Sequence, residues 1–154
     1  MTNKSRTNKH TRKNHNNNDG VNTRMGLQKK IVSTFLCMLN TVKLYHWSTS
    51  HYATHKATDQ LYSDLSSKID TFVETMFGKE TTSFRQKVLQ MRSINLHSIH
   101  TNNDFKNEAD QYKTFLIKLT NNKTFNVQKN TDLLNMRDDI LGSINQFLYL
   151  LTLV

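Results

Sequence analysis

YHWSTSHYATHKATDQLYSDLSSKIDTFVETMFG, residues Tyr45–Gly78, decides how this chain folds and where its chemistry lies. Leu61, Leu65, Ile69, Phe72, Val73 and Met76 recur at three- and four-residue steps, which predicts one long helix over about Tyr52–Phe77, with Gly78 as its stop. A second set of side chains rides on the same helix. Each helical residue advances about 100°, which puts Asp59 about 40°, Asp70 about 60° and Glu74 about 100° from His55. Four metal-competent groups therefore share one stripe, and His46 stands at the end of the preceding helix. Two imidazoles and three carboxylates form a mixed nitrogen and oxygen set that suits Fe(II), Mn(II) or Zn(II).

Spacing also dictates assembly. His55/Asp59 and Asp70/Glu74 are each one turn apart, so each pair can share a cation. From Asp59 to Asp70 the helix advances roughly 16 Å, too far for one ion to join the pairs. Two antiparallel copies of the helix, related by a two-fold axis near Ser63–Leu65, bring Asp70/Glu74 of one chain opposite His55/Asp59 of the other. A dimer whose interface is the metal site is the expectation.

At these residues the segment resembles the centre of Dps, the DNA-binding protein from starved cells, a mini-ferritin. That resemblance implies an iron site between subunits, with His46, His55, Asp59, Asp70 and Glu74 as ligands and as the ferroxidase residues. It also implies a homo-oligomer as large as a dodecamer, ferric storage and protection against oxidative stress. The wider stretch, including LLNMRDDILGSINQFLYLLTL (Leu133–Leu153), resembles a ferritin-like family of large DNA viruses and phages. Location in the host cytoplasm or nucleoid, or inside a virion, follows from the same resemblance. One departure stands out. His46 and His55 are nine residues apart, about three fewer than in typical Dps proteins, so a tighter turn and a different approach of His46 are expected.

The rest reads as an all-α, ferritin-like four-helix bundle over residues 25–154. A first helix is expected over about Met25–Trp47, with Leu27, Ile31, Phe35, Met38, Val42 and Tyr45 inward. Lys79–Asn103 reads as a long crossover with a short helix near Phe84–Ile94, the connection ferritin-like bundles use. A third helix is expected at about Asp104–Leu119, capped by Asp104 or Asn103. The fourth, about Thr131–Leu151, offers Leu134, Ile140, Leu141, Ile144, Leu148 and Leu151 as its apolar face. Zero Pro and four Gly favour long helices. No Glu-x-x-His occurs, which argues against a di-iron centre inside one bundle, and there is no phosphate-binding glycine loop, zinc-type Cys pair or Ser nucleophile elbow.

Charge is unevenly placed. The chain carries 21 Lys and Arg against 12 Asp and Glu. Residues 1–24 hold Lys4, Arg6, Lys9, Arg12, Lys13 and Arg24 against Asp19 alone. This Asn-rich segment is nearly devoid of apolar groups, so a disordered basic tail that grips DNA phosphates without reading sequence is expected. Some Dps proteins resemble it in binding DNA through basic N-terminal tails. A plain solvated extension fits the same composition. A structural nucleic-acid packaging or virion protein that keeps the fold but does no iron chemistry is the alternative function.

The remaining candidates have bland readings beside the functional ones. His51 reads as an exposed turn residue, and His97 and His100 as parts of a polar crossover. Trp47 reads as packing at the bundle end, Tyr52 and Tyr62 as core or interface aromatics. Asp138 and Asp139 beside Arg137 read as a salt-bridged or pore-lining face. Lone Cys37 excludes an intramolecular disulfide, fits a reducing compartment and reads as an inert thiol. No secretory signal peptide and no bilayer-length apolar run are recognised, so no membrane partner is expected.

Overall fold

In the computed structural model the backbone is described for residues 8–153 and the side chains for residues 19–153. Five helices follow in order: α1 Asn8–Ser48, α2 Tyr52–Gly78, α3 Thr82–Val88, α4 Asn102–Lys118 and α5 Thr131–Leu150. Among the described residues there is no strand, and no helix is long and apolar enough to cross a membrane.

Residue pairings give the helix directions. His46 on α1 meets His55 on α2, while Gln28 reaches Glu80 just past the other end of α2, so α1 and α2 run antiparallel. Lys68 with Ser143, and Lys79 with Asp132, make α5 antiparallel to α2. Thr41 with Tyr112, and Tyr45 with Asn102, make α4 antiparallel to α1. Helix α4 also packs on α5. Helices α2 and α4 thus point the same way, and residues 79–101 must travel back along the molecule between them. Helix α3 lies in that connection and packs on α1.

Burial follows the apolar period of α1 and α2. Ile31, Phe35, Met38, Val42 and Tyr45 meet Leu61, Leu65, Ile69, Phe72 and Met76 in one core, with Phe35 edge-on to Phe72 at 5.1 Å. Emptying such a position (Phe72→Ala) costs about 3–5 kcal/mol. Tyr45 is nearly fully buried. Its ring stacks on Phe105 at 4.5 Å and its hydroxyl donates to Asn102 Oδ1 at 2.6 Å. That contact clamps the end of α1, one residue before His46.

Several expectations need adjustment. Helix α1 begins at Asn8 rather than Met25, so residues 8–24, expected as a disordered tail, are helical; residues 1–7 lie outside the described residues. A helix already nucleated on the core extends at little cost per residue, and no Pro interrupts it. Helix α4 starts from Thr101, whose Oγ1 accepts from Asp104 N while Asp104 accepts from Thr101 N, so Asp104 closes the capping box instead of capping. In α5 the buried line is Leu133, Arg137, Ile140, Ser143, Ile144 and Phe147, with Leu134, Leu141, Leu148 and Leu151 half-buried beside it. The expected face is rotated because Arg137 takes a core position, donating to Leu116 O and Thr120 Oγ1.

Candidate metal centre

The turn Thr49–His51 is all that separates α1 from α2, and it folds the end of one helix onto the start of the other. His46 and His55 therefore stack, centroids 3.8 Å apart and planes 28° from parallel. His46 is buried, and its Nε2 lies 3.5 Å from Asp59 Oδ1. His46, His55 and Asp59 each offer a ligand atom, and all three atoms lie within 4.8 Å of one another.

Hydrogen bonding places a proton on Nδ1 of both rings. His46 Nδ1 is 3.2 Å from His55 O, and His55 Nδ1 is 3.2 Å from His46 O. A carbonyl only accepts, so both Nδ1 atoms must donate. Thr58 Oγ1 spends its own proton on the carbonyls of Thr54 and His55, which lie 3.0 and 2.8 Å away. Its lone pair is left to accept from His46 Nδ1 at 2.9 Å. In the neutral rings both Nε2 lone pairs are therefore free, as a metal ligand requires, and outer partners hold the rings in place. At 3.5 Å the His46 Nε2 lone pair and the Asp59 carboxylate repel unless a proton on that nitrogen or a metal cation lies between them. The residues fit a cation.

Lys43 supplies positive charge nearby. Its Nζ is 4.0 Å from the same Asp59 Oδ1 and sits 4.5 Å above the Tyr62 ring. Neither Lys43 nor Thr58 stood out in the sequence. Thr58 lies three residues after His55, on the face turned toward α1, and a search for outer partners at that spacing would have found it.

Asp70 and Glu74 are exposed on the uninterrupted α2, well beyond Asp59, and do not join the three ligands within one chain. Other candidates fall elsewhere. His51 and His100 are exposed; His97 Nδ1 pairs with buried Glu108 at 2.5 Å. Trp47 is 70% exposed, so it does not pack at the bundle end, and Tyr52, 75% exposed, is not a core aromatic. Arg137 pairs with Asp138 at 2.8 Å. Cys37 donates to Asn95 O, and burial pushes its thiol pKa up, which keeps it in the unreactive form. Of the basic N-terminal set, Arg24 is anchored: it lies 3.1 Å from Glu80 and 4.8 Å over the Phe84 ring. Lys4 and Arg6 lie outside the described residues; for Lys9, Arg12 and Lys13 only the helical backbone is described.

A family model described as "Family of unknown function (DUF5856)" matches residues 46–151. The chain belongs to this family. All five candidate ligands fall inside the matched span, and the basic N-terminal set falls outside it. No curated protein and no solved structure matches the chain.

Proposed function

We propose that the protein is a Dps-like mini-ferritin that oxidises Fe(II) at a site shared between two copies, stores the ferric product, and holds DNA without sequence preference through its basic N-terminal segment. The observation that carries this reading is the convergence of His46, His55 and Asp59. Support also comes from helix order. Two antiparallel pairs joined by a long return connection are the layout of ferritin-like bundles.

Completion of the site falls to a second chain. An antiparallel copy of α2 centred between Asp64 and Leu65 pairs His55 with the partner's Glu74 and Asp59 with the partner's Asp70. The middle of α2 is open to receive it. A groove of about 780 Å³ between α1 and α2 is lined there by Leu36, Ser63, Ser66, Ser67 and Asp70. Both dyad-related sites would then hold two nitrogens and three carboxylates, enough for two iron ions each.

Iron is the substrate. Two Fe(II) ions give up one electron each, and one hydrogen peroxide takes both electrons and two protons to become water; dioxygen is the other oxidant to be compared. The carboxylates favour the ferric product through their charge, while the imidazoles hold the ion without adding any.

Anaerobic titration with Fe(II), then rapid mixing with peroxide and separately with dioxygen, tests the reading. Saturable binding near two irons per site with fast oxidation is expected. An absence of binding overturns the ferroxidase assignment and leaves the nucleic-acid packaging alternative, which salt-dependent DNA binding by the full chain and by a chain lacking residues 1–24 then examines.

A further inference from the structure

Three of the five ligands that the intersubunit site calls on already meet inside one chain. One pair, His46 Nε2 and Asp59 Oδ1, is 3.5 Å apart. Two ligands bound to one transition-metal ion at about 2.1 Å each can be no more than about 4.2 Å apart. The three ligand atoms lie within 4.8 Å of one another. Ligands on one side of an ion stand about 3.0–3.4 Å apart, so the widest pair must close by up to roughly 1.8 Å, a movement the half-exposed Asp59 side chain can supply. Both Nδ1 atoms are engaged by acceptors of the same chain, which leaves Nε2 of each ring as the available ligand atom with no contribution from another chain. Asp59 is half exposed, so a cation can arrive from its side while His46 stays buried.

We propose that His46, His55 and Asp59 bind one divalent transition-metal cation within a single protomer, before a second copy adds Asp70 and Glu74, and that Lys43 is the counter-charge the cation displaces. The proposal shares its residues with the ferroxidase reading but does not need oxidation to occur. Two nitrogens and one carboxylate on one side of the ion leave its other positions open, the arrangement of mononuclear iron(II) sites. Lys43 has somewhere to go. Its ammonium already sits over the Tyr62 ring and can keep that contact when Asp59 turns to the metal.

Cobalt(II) is a suitable probe, because its visible absorption reports nitrogen ligation and needs no redox chemistry. It would be titrated into the full-length chain, with sedimentation recording the oligomeric state and circular dichroism the helix content of each variant. Asp70→Asn/Glu74→Gln changes only exposed residues. That double variant is expected to keep one Co(II) per protomer, with the band intact, including where it sediments as a monomer. His55→Ala and Asp59→Asn are expected to weaken Co(II) at least about tenfold, since even outer-shell losses cost that much. Lys43→Met is expected to tighten it up to about fivefold, the scale of an exposed ion pair.

Loss of Co(II) from Asp70→Asn/Glu74→Gln, with helix content unchanged, overturns the single-chain site. An unchanged affinity in Lys43→Met overturns the displaced counter-charge. The two readings fail separately. Rapid Fe(II) oxidation by the unmodified protein, together with no Co(II) on the double variant, keeps the intersubunit ferroxidase and rejects the single-chain site. Co(II) on the double variant, with no Fe(II) oxidation by the unmodified protein, does the reverse.

Discussion

The two ends of α2 carry the same kind of side chain on the same stripe, yet they stand in opposite conditions. At the start, His55 and Asp59 are held by α1: a stacked ring, two reciprocal imidazole–carbonyl bonds and the Thr58 hydroxyl. Toward the far end, Asp70 and Glu74 are exposed. A tight turn made the difference, because Thr49–His51 folds the end of α1, with His46, onto the first turns of α2. One end is organised by its own chain, and in the proposed site the other is completed by a second copy.

The largest test of that contrast is Asp70→Ala/Glu74→Ala. Rapid Fe(II) oxidation should fall by more than about a hundredfold, since a ligand counts for more than the outer partners that cost about 10–100-fold. Melting temperature should stay within a few degrees, because exposed positions contribute little to the fold. An unchanged oxidation rate in stopped flow would remove Asp70 and Glu74 from the site.

Thr58→Val probes the organised end. It keeps the side-chain volume and removes the acceptor for His46 Nδ1, leaving His55 O alone to hold the ring. Co(II) affinity should fall about tenfold, with a stability loss of about 1 kcal/mol in denaturant titration. Equal affinity in variant and parent would mean that the carbonyl suffices.

Past the exposed end, the chain is tied to α5 by Lys79, whose Nζ lies 2.8 Å from Asp132 Oδ1. The Lys79 hydrogen bond, the largest cause, holds the Asp132 carboxyl below its usual pKa. A depressed folded-state pKa contributes stability that is present above the unfolded value of about 3.9 and lost as pH falls through the folded one. Asp132→Asn should therefore destabilise by well under about 1 kcal/mol at pH 7, the pair being exposed, and by nothing measurable at pH 2. Melts at both pH values check it, and a gap that persisted in acid would refute the ionic account.

How far the sequence could be read varied along the chain for a physical reason. Helix α2 was legible to within a residue, because six apolar side chains at helical steps and a terminal Gly leave one solution. The five candidate ligand positions could be marked by spacing, of which the structure brings together His46, His55 and Asp59, and the separation that keeps Asp70 from Asp59 was legible too. Helix α1 was harder to bound at its start: Asn14–Asn18 carry no apolar period, yet the helix continues through them. The α5 face was misjudged by one position, since a periodicity count places an Arg outside, whereas Arg137 is buried by bonds to the α4 end.

By itself, then, the sequence determined an all-α chain, the stripe of ligands and the impossibility of joining both pairs within one helix. These follow from the 3.6-residue period and the axial rise, which need no knowledge of neighbours. Only the tertiary structure decided that His46 reaches His55 and Asp59, that both Nδ1 atoms are engaged by carbonyls, and that Lys43 and Thr58 stand beside them. Those depend on how α1 and α2 meet across the turn, where a few ångströms separate a ligand from a bystander.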